Sequence, residues 1–408
     1  MYQFYAMNKK KFIILIMIIV GFFFLFLERI FLYNKNISIT NNHNPWIALY
    51  ISIFYFTSIS LGTLFFLGIQ NVSKSGWSVI IHPIMEEISS FIPYGGIMIL
   101  IIFLLNTMDI VHIFHWMNLD LYNPIYLNND KIVSSKRFFL NTPFFLVRSV
   151  LYILICSFFY SKIKKISCRL YITHSLNDYK KLYFVSIIFI IFFSVISIFM
   201  IWDWVMFLNP HWLSTLLSWY VLSSFIITGI STVTIIAIFL NKKGLFPLFR
   251  KSHLHDLSKY LFSGSLLWTY LWFSQFFLYW YGNIPEEITY FVKREEIYYS
   301  IHFWMLIPNF LIPFFCLMSS KNKSNYKIVF SISLILLIGH YIDIYNLIAP
   351  DIFSKNVNIC ILEIIGSILI IGAFFIYILF SNFSKRKLNS SEGNPFFQES
   401  KNYTYPYM

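Results

Sequence analysis

Apolar runs of membrane-spanning length recur from one end of this sequence to the other, and nothing else about it restricts the possible folds so tightly. A helix needs about 20 predominantly apolar residues to cross the hydrocarbon layer. In that layer every backbone amide must be paired within the protein, so only helices and closed barrels can span it. The runs are continuous rather than alternating, which selects helices. Only 12% of the 408 residues are charged and 58% are hydrophobic, with a mean hydropathy of +0.67, whereas soluble domains carry about a quarter charged residues. The fold class is therefore an all-α polytopic membrane protein, with no room for a soluble catalytic domain.

The pattern predicts ten spans: Lys11 to Tyr33, Trp46 to Gln70, Phe91 to Trp116, Phe138 to Tyr160, Leu182 to Phe207, Trp212 to Leu240, Leu257 to Tyr281, Ile297 to Ser319, Ile328 to Leu347 and Ile359 to Asn382. The first follows Lys9, Lys10 and Lys11 without a small-residue cleavage pattern after it, so it reads as a retained helix rather than a signal peptide. A formal charge of +13 invites a nucleic-acid reading. The basic residues, however, lie in connections between spans and not on one face, and membrane topology explains them better. Clusters such as Lys162 to Arg169, Lys242 to Lys251 and Lys321 to Lys327 fall on the side shared by both termini and outnumber those opposite. The positive-inside rule then places both termini in the cytoplasm. The even number of spans and a central turn suggest two four-helix bundles, over 46–207 and 208–350. These would be flanked by a first helix and loop (1–45), a last helix (351–384) and a polar tail (385–408) suited to docking on a partner. No convincing sequence repeat links the halves.

That central turn, Trp202 to Trp212, holds Asp203 and His211 beside three indoles. Trp favours the headgroup level, so an anchor belt is one reading. Ionisable groups at such depth are costly unless paired, wetted or used, which is the other. The third span carries Glu86 and Glu87 at one end and Asp109, His112 and His115 at the other, with Pro93, Gly95 and Gly96 predicting a kink between. Asp109 and His112 are three apart and would share a helical face. His340 and Asp343 repeat that spacing in the ninth span. A carboxylate beside an imidazole can relay a proton, because histidine titrates near neutrality. Arg148, mid-span, needs a partner acid or a water cavity, and bundle glue and a proton relay both remain open for it. His253, His255, Asp256 and Lys259 open the seventh span. They read either as ordinary helix-terminus charge or as a proton mouth facing Glu86 and Glu87. Cys156, Cys168, Cys316 and Cys360 are scattered, with no spacing for covalent haem or an iron-sulfur cluster. No set of three or four ligands has metal-site spacing.

Three segments carry a resemblance: Phe246-Pro247 to Lys259, Trp268 to Gln275, and Trp280-Tyr281-Gly282-Asn283-Ile284-Pro285-Glu286-Glu287. With the Trp202 to Thr215 turn and the tail around Asn394-Pro395-Phe396, they resemble the F subunit of alternative complex III. That subunit is a polysulfide-reductase (NrfD) type membrane protein, also called quinone-binding subunit 2, of a quinol:cytochrome c oxidoreductase. The resemblance covers essentially the whole chain. It implies a subunit of the bacterial inner membrane that is not catalytic alone and carries no covalently bound cofactor. Its partners would be a paralogous C subunit, iron-sulfur and multihaem cytochrome subunits and lipids, with no nucleic acid; quinol or quinone is the implied ligand. The implied role is a proton path in respiratory electron transport, with Glu86, Glu87, His255, Asp256 and Lys259 at the inner mouth. Asp109, His112, Arg148, Asp203, His211, His340 and Asp343 would form the rest. The loop Asn34 to Pro45 is shorter than in relatives with His-rich insertions, and Asp109 stands where an imidazole is more usual. Two other classes compete: a purely structural scaffold of that complex, and a stand-alone secondary transporter built on broken helices.

Overall fold

The computed structural model describes residues 12–27, 45–118, 130–352, 361–385 and 390–405. The loop Asn34 to Pro45 lies almost wholly outside them, as do Cys360 and Lys387. In chain order the helices are α1 (Phe12–Leu27), α2 (Pro45–Val72), α3 (His82–Ile88), α4 (Ile92–Thr107), α5 (Lys131–Ser135), α6 (Thr142–Thr173), α7 (Leu176–Trp204) and α8 (Leu216–Lys242). There follow α9 (Lys251–Gly282), α10 (Pro285–Trp304), α11 (Ile312–Met318), α12 (Ser320–Lys323), α13 (Tyr326–Ile352), α14 (Ile361–Lys385) and α15 (Phe397–Asn402). No strand occurs among the described residues, and the chain is an all-α polytopic membrane protein.

Among the described residues, eight helical stretches are long and apolar enough to cross a membrane. The first and seventh predicted spans are not among these eight. The described part of α1 has only 16 residues. The 32-residue α9 has the length, but Trp268, Tyr270, Trp272, Ser274 and Gln275 dilute its apolarity.

Helices α2, α4, α6 and α7 pack in a closed ring, and α8, α9, α11 and α13 form a second. The rings meet where α2 lies along α8. Burial follows this order: 94% of the apolar window of α2 and 83% of that of α8 are buried, against 33% for the lipid-facing α7. Close approach of α2 and α8 depends on two glycines. A Cβ on Gly62 would sit 1.8 Å from the Phe225 carbonyl oxygen, and one on Gly229 would sit 2.7 Å from the Thr63 nitrogen. Small residues are the usual device for bringing helices together where there is no water to drive them. Hydroxyls in this dry contact bond back to their own helix, as Ser58 does to the Tyr55 carbonyl (2.7 Å) and Thr63 to that of Ile59 (2.8 Å). Outside the rings, α14 lies on α2, joined by Ser52 Oγ, which meets Ser367 Oγ at 2.8 Å and Tyr341 Oη at 3.0 Å.

Two spans are broken where proline interrupts the amide ladder. The third is made of a short 3-10 stretch Gly76–Ile81, α3, another at Ser89–Phe91, and α4, with Pro83 and Pro93 each in a first helical turn. The break thus falls before Pro93, and Gly95 and Gly96 sit inside a continuous helix. The eighth contains a π-helical turn, Ile307–Leu311, between α10 and α11, with Pro308 inside it.

Candidate functional site

At one end of the bundles, here the turn end, the segment after α7 tucks Trp204 to Leu208 into the core. Tyr50 donates to the Trp204 carbonyl (2.7 Å), and the Trp204 indole N–H donates to Ser149 Oγ (3.1 Å). This packing places Asp203 against α6 with no exposed surface. Arg148 grips it with two hydrogen bonds, Nε to Oδ2 at 2.8 Å and Nη2 to Oδ1 at 2.6 Å, and Tyr152 donates to Oδ2 at 2.8 Å. The remaining guanidinium face is covered by Phe139 and Phe144, at 3.9 and 4.4 Å from the ring centres, and Nη1 donates to the Phe139 carbonyl. A planar fork on a carboxylate is the strongest form of such a pair. Of the two readings open for Arg148, the partner acid is the one observed.

His211 is not part of this. It is half exposed, and its Nε2 lies 2.8 Å from an oxygen of Asp130, at the N-cap of α5. The sequence brings Asp203 and His211 into one turn, but the turn's two halves point apart. Asp109 and His112 also depart from expectation. Helix α4 ends at Thr107 and Asp109 takes a left-handed backbone (φ 57°), so the two do not share a helical face. Their side chains are 89% and 69% exposed and 4.0 Å apart, which puts them on the surface.

The second ring holds a buried polar column along one face of α13. Nearest the turn end, Arg294 pairs with Asp351 (2.7 Å) and donates to the carbonyls of Asn346 and Leu347. Arg294 falls in the connection between the predicted spans that end at Tyr281 and begin at Ile297. That stretch instead continues as α10 and carries Arg294 inward to 1% exposure, stacked 3.4 Å over the Tyr290 ring. One turn further along α13, Asn346 Nδ2 meets His302 Nδ1 at 3.1 Å. Next comes Asp343, fully buried, which accepts from Tyr220 in a very short bond, from Ser224 (3.0 Å) and from the Trp268 indole (3.0 Å). His340 is also fully buried, and its Nδ1 stands 3.7 Å from Asp343 Oδ2, outside hydrogen-bond range. Both ring nitrogens of His340, both amide atoms of Asn309 in the π turn, and His302 Nε2 have no hydrogen-bond partner among the described residues. Such groups cost about 1–3 kcal/mol each when left dry. A run of them along one column is polar enough to hold internal water. Beyond His340 the same face of α13 turns mostly apolar, with Leu336, Ile332 and Val329 buried beside Ser333, whose hydroxyl donates to the Val329 carbonyl (2.8 Å).

The opposite end, here the tail end, carries two further clusters. Glu86 accepts a very short bond from Ser167 and one from Tyr171 (3.3 Å), and Glu87 accepts from Lys164 (2.8 Å), which is also bonded to Tyr160. On the second ring, Lys259 Nζ lies 3.0 Å and His255 Nδ1 3.9 Å from Asp256 Oδ1, and His255 Nε2 reaches Ser320 at 3.2 Å. The structure therefore brings together Arg148 with Asp203, His340 with Asp343, and His255 with Asp256 and Lys259, and it places Glu86 and Glu87 against the first ring, apart from the last set on the second. Sequence reasoning missed Tyr152, Tyr220, Trp268, His302, Asn309 and Asp351. Their only signal is helical spacing, as with Asn346 three residues after Asp343, since most partners come from other helices.

A groove of about 590 Å³ opens at the turn end between the rings, lined by residues including Phe139, Trp202, Trp212, Gln275, Tyr279 and Glu287. Trp212 forms part of its wall while stacked on Tyr290, with ring centres 3.6 Å apart. No group of three or more His, Cys, Asp or Glu able to hold a metal ion occurs among the described residues.

Fold and polar architecture together define an integral membrane protein of the helical, multi-pass class. No family model matches the chain, and no curated protein matches it at a significant level.

Proposed function

We propose that this chain is a membrane subunit of a quinol:cytochrome c oxidoreductase of the alternative complex III type, supplying a proton path and no redox centre of its own. Its setting would be the bacterial inner membrane with both termini cytoplasmic. It would be assembled with a paralogous membrane subunit, iron-sulfur and multihaem cytochrome subunits, and lipids. The observation that carries the proton role is the Asp343 and His340 pair. Asp343 is buried, and the hydrogen bonds it accepts come from the neutral groups of Tyr220, Ser224 and Trp268 rather than from an arginine or lysine. His340 stands beside it with neither ring nitrogen hydrogen-bonded among the described residues. Groups so placed can exchange a proton through intervening water, which an acid locked to an arginine resists. Asp203 is of the locked kind, and that ion pair is the observation favouring the scaffold reading for the first ring. The turn-end groove has the size and apolar walls of a site for a ring-headed amphiphile such as a quinone.

Asp343→Asn in the assembled complex tests the proposal. Quinol turnover should persist with reduced charge movement per quinol, and co-purification with haem and iron-sulfur subunits should be unchanged. Full charge movement in this variant would exclude Asp343 from the path. Purification of the wild-type chain alone, without redox subunits, would overturn the assignment to the complex.

A further inference from the structure

The C-terminal segment does not extend away from the bundle. Residues 393–405 run across the tail end from one ring to the other. At Gly393 the chain presses on α6 so closely that a Cβ would sit 2.2 Å from the Leu170 carbonyl oxygen. Phe396 packs on Tyr179 of α7, with ring centres 5.8 Å apart, and Phe397 is buried. Ser400 then ties the segment to the start of the third span. Its hydroxyl donates to the Trp77 carbonyl (2.8 Å) and accepts from the Ile80 amide (3.2 Å). The Ser400 carbonyl accepts from His253 Nε2 at 3.0 Å, on the second ring. His253 Nδ1 accepts from the Arg250 amide (3.1 Å), so one tautomer satisfies both contacts.

Past this crossing the segment covers the Asp256 cluster. Tyr403 donates to Asp256 Oδ2 at 2.5 Å, Lys259 Nζ lies 3.8 Å over the Tyr405 ring, and the His255 and Tyr405 rings are 4.4 Å apart. With Lys259 on Oδ1 and Tyr403 on Oδ2, both carboxylate oxygens of Asp256 are engaged. His255 and Asp256 are left 2% and 7% exposed although they sit in the first turns of α9.

We propose that residues 393–405 are a latch: docked, the segment fastens the two rings together at the tail end and shuts His255 and Asp256 off from bulk water, with Lys259 at the rim; lifted, it opens that cluster. The attachment is made of a few hydrogen bonds and ring contacts on a short segment outside the two rings. Such elements open locally at far lower cost than the surrounding core. The latch stands on these contacts alone. Its further role, controlling proton entry at this end, rests on the proton-path reading above.

The test uses the full chain with its native cysteines replaced and His255→Cys as reporter, labelled with a maleimide in native membranes. It is compared with the same chain ending at residue 389, and with one carrying Ser400→Ala and Tyr403→Phe. The docked chain should label about tenfold or more slowly than the truncated one, with the double variant between them, as expected for reaction from a minor open state. Equal rates in all three, with circular dichroism unchanged, would overturn the latch. Charge movement per quinol in the truncated complex is the separate arm. Faster labelling with unaltered charge movement leaves the latch standing and removes this cluster from the proton path.

Discussion

The Arg148 and Asp203 pair allows a sharp energetic prediction. Removing Arg148 as Arg148→Met leaves a carboxylate with no exposed surface held only by the Tyr152 hydroxyl. Breaking a buried pair from one side costs about 3–5 kcal/mol, because the surviving charge has lost its compensation. At 1.4 kcal/mol per decade this is roughly a hundredfold to a few thousandfold in the unfolding equilibrium. Asp203→Leu strands the guanidinium between Phe139 and Phe144 and should cost a similar amount. The double variant removes both charges and leaves only neutral orphans, the Tyr152 hydroxyl and the Phe139 carbonyl. Each orphan costs about 1–3 kcal/mol, but replacing a whole buried ion pair by apolar side chains is often neutral or stabilising by about 1–4 kcal/mol, so the net loss falls below that of either single variant. Unfolding in mixed micelles of rising SDS fraction, followed by circular dichroism, gives all three numbers. Strong non-additivity is the expected result, with the double variant more stable than either single one. Additive losses would show that the two charges are not each other's main support, and the structural role assigned to Asp203 would fall.

Gly62→Val should cost about 3 kcal/mol or more by overpacking the α2 and α8 contact, seen as loss of monodisperse protein on extraction, while normal yield would contradict the close approach. Burial and the Asp256 carboxylate raise the Tyr403 phenol above its ordinary value near 10. A raised acid favours the docked, protonated form, so docking is fully present below pH about 10 and weakens as the undocked phenol ionises above it. The tyrosinate absorbance difference between wild type and Tyr403→Phe should therefore titrate above the ordinary range, and an ordinary midpoint would remove the contact.

The comparison of Asp203 with Asp343 shows how far a sequence can be read. Both are single acids in apolar helices, and by depth alone they look alike. Their difference lies in partners 55 and 123 residues away, Arg148 and Tyr220, which no local pattern links. Asp109 and His112 show the converse: three-residue spacing is a statement about a helix, and it fails where α4 has already ended. Arg294 falls between two predicted spans, yet α10 carries it inward, and Asp351, 57 residues on, is what allows it inside.

What the sequence by itself determined is the class and the approximate spans, because the hydrocarbon layer imposes a length and an apolarity that any spanning helix must show locally. The proline breaks were also written there, since a missing amide acts on its own turn. Tertiary packing decided which ionisable groups are buried together, which are surface, and where the tail lies. Electrostatic cost depends on what other helices bring within a few ångströms, and that is set only once the two rings have closed around α2 and α8.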